Sequence, residues 1–153
     1  MGLSACNCTL LRKATRRLSR LYDMAVASSG LKTTQAAILA EINRSAPCPV
    51  GELAEKLVMD AGALAHTLKP LERDGFITVS IDGRDRRNRL VSLTPAGIEK
   101  MNETQILLAE AHRGFEAALG ASGSEALRTA LYQLISDDFL ESFQAAMPNL
   151  NRG

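Results

Sequence analysis

Residues 76–97 read FITVSIDGRDRRNRLVSLTPAG. Ile77, Val79 and Ile81 alternate with polar neighbours, and Val91 and Leu93 repeat the pattern, the period of a strand with one apolar face. Between these runs lies Asp82-Gly83-Arg84-Asp85-Arg86-Arg87-Asn88, polar throughout and bent at a glycine, so the two strands form a hairpin with a charged tip. Thr94-Pro95 then starts a helix, with a capping hydroxyl followed by proline at the first helical position.

Towards the N-terminus, Asp60 is the natural cap of a helix running to about Asp74. Leu64, Leu68 and Leu71 share one of its faces, Gly75 stops it, and Pro70 inside it should remove one backbone bond and bend the axis. A short helix with Leu53, Ala54 and Leu57 comes before it. Two prolines make Ser45–Pro49 a loop. Earlier still, Thr33 or Thr34 caps a helix that turns Ile38, Leu39 and Ile42 inward. The first helix spans about Thr9 to Ala27, with Leu11, Ala14, Leu18, Leu21, Tyr22 and Ala25 on one face. Arg12, Arg16 and Arg20 lie on another face, joined by Lys13 and Arg17.

Towards the C-terminus, a fifth helix reaches Leu119 and is broken by Gly120 and Gly123. Ser122 and Glu125 form a capping box for one last helix carrying Leu127, Leu131, Leu134, Ile135, Phe139 and Phe143. The chain is therefore mainly α with a small β element (α+β): four helices, a hairpin, then two helices.

Composition agrees. Among 153 residues, hydrophobic types make up 46% and aromatics only 4%, which suits packed helices better than a sandwich of strands. The net charge of +1 hides an asymmetry. Residues 1–95 hold 14 Lys/Arg against 9 Asp/Glu, whereas residues 96–153 hold 4 against 8. A basic front half favours a polyanionic partner at one end. No stretch approaches the roughly 20 apolar residues of a membrane span, and Leu3-Ser4-Ala5-Cys6 lacks the leader of a lipoprotein site. With three cysteines, too few for a disulfide framework, the expected setting is the cytoplasm.

Helices followed by a two-stranded wing form the winged helix-turn-helix lobe, here residues 33–95 of a single 1–153 domain. Three segments are specific. Val50–Leu57, Leu68–Ile77 and Asp82–Arg87 with Leu93-Thr94-Pro95-Ala96-Gly97 resemble the third helix, the end of the recognition helix, and the wing with its following helix in the MarR family of regulators. The likeness covers roughly residues 9–146. It implies a homodimer held by helices within 9–27 and 96–146, a fourth helix in the major groove, and the wing in the adjacent minor groove. The apolar faces of the first and last helices independently call for a partner.

For DNA contact, the residues singled out are Ala61, Ala63, His66, Thr67 and Lys69 on the fourth helix, with Arg84, Arg86 and Arg87 on the wing. Guanidinium groups suit a narrow minor groove. The resemblance assigns Asp85 and Arg87 to a pair that stiffens the wing. The fourth helix departs from the family pattern, because Ala61-Gly62-Ala63 can touch thymine methyls yet offers no bidentate hydrogen bond. Phosphate contacts and DNA shape would then carry much of the binding.

The resemblance also implies a small aromatic or anionic effector, near Arg16, Tyr22, Met24, Met59 and Phe115, that releases a repressor from DNA. No metal or cofactor is expected: a C-x-C pair alone is a poor zinc site, and the chain has only two histidines. Glycine-rich phosphate loops, nucleophile elbows and H-E-x-x-H are missing, so an enzyme is not expected. Two other readings remain open at this level. One is a winged-helix binding module with weakened or lost DNA specificity. The other is a thiol-based redox regulator using Cys6 or Cys8, whose thiols stand near Arg12 and Lys13.

Overall fold

A computed structural model of the chain describes residues 6–147. The Leu3–Ala5 part of the lipoprotein-like segment lies outside the described residues. The chain divides into two compact units at Ala111/His112, inside a long helix.

The first unit begins with α1 (Asn7–Ala25), a short 3-10 turn (Ala27–Ser29) and α2 (Thr33–Ser45). Asp23 of α1 accepts the Thr33 N–H at 2.8 Å, and the Gln35 side chain accepts the Lys32 N–H at 2.9 Å. Those two side chains cap α2, where a threonine hydroxyl was expected. The buried Thr33 Oγ1 makes no hydrogen bond.

Next come β1 (Cys48–Pro49), α3 (Val50–Lys56), α4 (Ala61–Arg73), β2 (Ile77–Ile81) and β3 (Arg89–Leu93). β1 corrects the expected loop and makes the sheet three-stranded, in the order β1-β3-β2. Cys48 pairs with Val91 and Pro49 with Leu90, antiparallel. Proline is tolerated here because β1 is an edge strand, where a missing N–H breaks no inner ladder. The hairpin register pairs Ile77 with Leu93 and Ile81 with Arg89.

The core of this unit is apolar and tightly closed. Ile38, Leu39, Ile42, Leu53, Leu64, Leu71, Ile77 and Val91 are all fully buried, and Met59 and Phe76 pack against them. At roughly 1.5–3 kcal/mol for each fully buried aliphatic side chain, this cluster is what holds α2, α3, α4 and the sheet in one lobe.

α5 (Pro95–Leu119) starts as expected. Thr94 Oγ1 accepts the Gly97 N–H at 3.0 Å and donates to the Gly75 carbonyl at 2.6 Å, tying the end of α4 to the start of α5.

The second unit contains the end of α5, α6 (Ala121–Leu134) and α7 (Asp137–Ala146), so the expected single last helix is two. Ser136 caps α7 by accepting the Phe139 N–H at 3.2 Å, with Asp137 and Asp138 in the first turn. The expected capping box is also displaced. α6 starts one residue after Gly120, whose φ is +81°, so Ser122 lies inside the helix and Glu125 pairs with Arg128 at 3.1 Å.

Candidate nucleic-acid interface

α3 and α4 are joined by a tight turn. The Met59 N–H reaches the Ala54 carbonyl at 2.9 Å, and the Val58 N–H reaches Glu55 at 3.0 Å, a Schellman closure. The left-handed position in this turn is occupied by Val58, at φ +51°. Asp60 then opens α4, its Oδ1 accepting from Gly62 N at 2.8 Å and Ala63 N at 3.1 Å. A Cβ on Gly62 would sit 3.0 Å from that oxygen, so the glycine leaves room for the cap. α4 closes with a second Schellman motif, Phe76 N–H to Leu71 and Gly75 N–H to Glu72, with Gly75 at φ +79°.

Between these caps α4 buries Leu64, Leu68 and Leu71 and exposes Ala61, Ala63, Ala65, His66 and Lys69. Thr67 is half-buried and its hydroxyl donates back to the Ala63 carbonyl at 3.0 Å. Pro70 removes the N–H that would reach the His66 carbonyl. Of the residues singled out on this helix, His66, Thr67 and Lys69 line a groove together with Lys32, the N-cap of α2, and Thr34 and Gln35 of its first turn. Sequence reasoning missed the α2 wall. Its residues are far from α4 in sequence, and no motif marks them.

The wing is built by its aspartates. The Asp82 carboxylate accepts the Arg84 N–H at 2.8 Å, and that of Asp85 accepts the Arg87 N–H at 3.0 Å. The Asn88 N–H reaches the Asp85 carbonyl at 2.9 Å and the Asp82 N–H the Asn88 carbonyl at 3.0 Å. The stiffening contact of Asp85 with Arg87 therefore runs through the backbone N–H and not through the guanidinium. Arg84, Arg86, Arg87 and Arg89 are all exposed, and the ion pairs of the described residues lie elsewhere. Both carboxylates fix the loop and leave the arginine side chains outward.

The remaining candidates are scattered. Arg16 lies on an exposed stretch of α1 with Lys13, Arg17, Arg20, Leu21 and Met24. Tyr22 is half-buried on α1, and Met59 packs against the lobe core. Phe115, also half-buried, belongs to the second unit. Cys6 and Cys8 are exposed and Cys48 is buried. The N–H groups of Thr9 and then Cys8 in the first turn of α1 hold the Cys6 thiol below its ordinary range, whereas burial pushes that of Cys48 up. Among the described residues, no group of three His, Cys, Asp or Glu is placed to hold a metal, and no helix is long and apolar enough to cross a membrane.

The MarR family model matches residues 31–88, which span this lobe from α2 to the wing tip. The transcriptional activatory protein BadR of Rhodopseudomonas palustris is 36% identical over 90 residues. That match covers 57% of this chain and 51% of BadR, so the chain spans about half the length of that relative. A probable transcriptional regulator from Pseudomonas aeruginosa superposes with a TM-score of 0.78 at 32% identity, covering 87% of this chain and 99% of that one. The Mycobacterium tuberculosis regulator MosR, solved in complex with DNA, superposes with a TM-score of 0.79 at 27% identity over 92% of this chain and 98% of its own. These relatives are transcriptional regulators, not enzymes. With the wing, the two capped helices and the Leu-Thr-Pro-Ala-Gly junction in place, the chain belongs to the MarR family of winged-helix transcriptional regulators.

Proposed function

We propose that the protein is a homodimeric DNA-binding repressor. α4 enters the major groove, and Arg84, Arg86 and Arg87 of the wing reach the adjacent minor groove. The observation that carries this reading is the wing, where both aspartates are spent on backbone N–H groups and the guanidiniums are left exposed. Such a loop is a pre-ordered cation bearing on DNA, and arginines favour the narrow minor groove of A·T-rich sequence. MosR, crystallised with DNA, supports the partner.

The homodimer reading rests on uncovered apolar side chains. Leu10, Leu11, Leu21 and Met24 of α1 are exposed, as are Phe139, Leu140 and Phe143 of α7. Large apolar faces of that kind find a partner. A small anionic or aromatic effector that releases the repressor, with Arg16, Tyr22, Met59 and Phe115 as separate candidate contacts, completes the proposal.

Fluorescence anisotropy on the DNA upstream of the gene, beside scrambled DNA and across a salt series, tests it. Tight binding that prefers the upstream sequence is expected. Equal, weak and salt-steep binding to both would reduce the protein to a phosphate-holding module without operator specificity. Cys6 supports a second reading, a thiol-responsive regulator, since the thiol is exposed and its thiolate favoured. Mild peroxide should then weaken DNA binding in the wild type but not in Cys6→Ser; equal sensitivity in both removes this reading.

A further inference from the structure

The groove between α2 and α4 has two walls of matched chemistry. Lys32, Thr34 and Gln35 form one, and His66, Lys69 and Arg73 the main part of the other. No carboxylate lines it. Arg73 is held by Asp74 just outside, Nε at 2.9 Å and Nη2 at 3.4 Å, so its charge is already partnered. Lys32 and Lys69 are exposed, and the ion pairs of the described residues do not include them. Gln35 uses its carbonyl oxygen on the Lys32 N–H, so its amide group still has N–H donors to offer. One unpartnered cation on each wall, with neutral donors and no acid, suits an anion.

The opposite poverty marks the start of α4. Ala61, Gly62, Ala63 and Ala65 present no hydrogen-bonding side chain to a base edge. A helix of this composition must be held on DNA chiefly through phosphates, which position without specifying sequence.

The geometry points to this groove as a clamp for one phosphodiester of the strand bordering the major groove, with Lys32 and Lys69 supplying charge from opposite walls and the Gln35 amide donating to an oxygen. The inference rests on the DNA-binding reading above and adds to it the site that holds α4 in place.

The test compares the wild type with Lys32→Ala/Lys69→Ala on upstream and scrambled duplexes between 50 and 200 mM salt. Each phosphate neutralised contributes about 0.9 to the slope of log affinity against log salt. The double variant should therefore lose about 0.9 of slope, so that the same salt rise weakens it about 3.5-fold less than it weakens the wild type. The loss should be the same on both duplexes, and Lys32→Arg/Lys69→Arg should restore the slope. Circular dichroism checks that the exposed substitutions leave the helices intact.

An unchanged slope in the double variant, with a reduced one in Arg86→Ala, would overturn the clamp and leave the regulator standing. No wild-type binding to either duplex would overturn both. A thermal shift in millimolar inorganic phosphate at fixed ionic strength, abolished in the double variant while its DNA slope is unchanged, would identify a free-anion site and also overturn the clamp.

Discussion

At Gly97 the first turn of α5 presses on the backbone of Phe76, and a Cβ there would run into the Phe76 carbonyl. A carbonyl already bonded to the Thr94 N–H at 3.1 Å cannot swing away like a side-chain tip. Gly97→Ala should therefore destabilise the protein by about 2 kcal/mol despite the better helix propensity of alanine. For a chain of this size that lowers Tm by roughly 4–8 °C, measurable by calorimetry. The cysteines give a second prediction at this scale. Cys48 is buried and its thiol pushed up, so the folded state keeps the proton longer than the unfolded chain. Its contribution is fully present below the unfolded value and is lost as pH rises through the higher folded one. Tm should fall above about pH 8.5, the ordinary thiol value, and fall less steeply in Cys48→Ala. Cys6, with its thiol lowered and exposed, should be alkylated by iodoacetamide at neutral pH while Cys48 stays protected until unfolding. Alkylation of both at equal rates would show that the lobe core opens.

Among the elements, two adjacent helices end in the same closure with different residues. α4 places Gly75 in the left-handed position, whereas α3 places Val58 there, a β-branched residue that is 74% exposed and therefore has no packing reason to be valine. Left-handed backbone costs an L-residue about 1–2 kcal/mol. Val58→Gly should stabilise the protein by about 0.5–1 kcal/mol once the backbone entropy of glycine is subtracted, and Gly75→Ala should destabilise it by about 1 kcal/mol. Urea titrations of the two variants measure both signs. The element boundaries that could be read in advance were those with local chemistry: Asp60 as the cap of α4, Thr94-Pro95 as the start of α5, and the Asp82–Asn88 tip. Those that could not be read depend on distant partners. Asp23 caps α2 from another helix, and β1 exists only because β3 offers it a ladder. The break between α6 and α7 is an exception, since Ser136 followed by two aspartates is a local cap signal that the apolar repeat through Ile135 and Phe139 obscured.

On the scale of the whole molecule, the two signs of charge are separated along the chain. Cations crowd α1 and the wing, and acids outnumber bases after residue 95. α7 adds Phe139, Leu140 and Phe143 at 36%, 53% and 49% exposure, with the two rings stacked at 6.0 Å. A face this apolar is expected to lie in a subunit interface. Sedimentation equilibrium at micromolar concentration should find a dimer for the wild type and a monomer for Leu140→Glu/Phe143→Glu, since a buried unpaired carboxylate opposes association. A wild-type monomer would contradict the homodimer.

The amino-acid order was sufficient for the winged lobe because its signals act over a few residues: periods of two and of about four, a capping hydroxyl or carboxylate, proline at a helix start, glycine at a helix end. The same locality made the wing arginines and His66, Thr67 and Lys69 readable as candidates. Folding decided whatever depended on residues brought together from afar. It set Lys32 across from Lys69, 37 positions apart, making a cationic groove that neither helix contains alone. Hydrogen bonds and charges act over ångströms of space, and only the closed core of Ile38, Leu39, Leu64 and Leu71 fixes which distant side chains share that space.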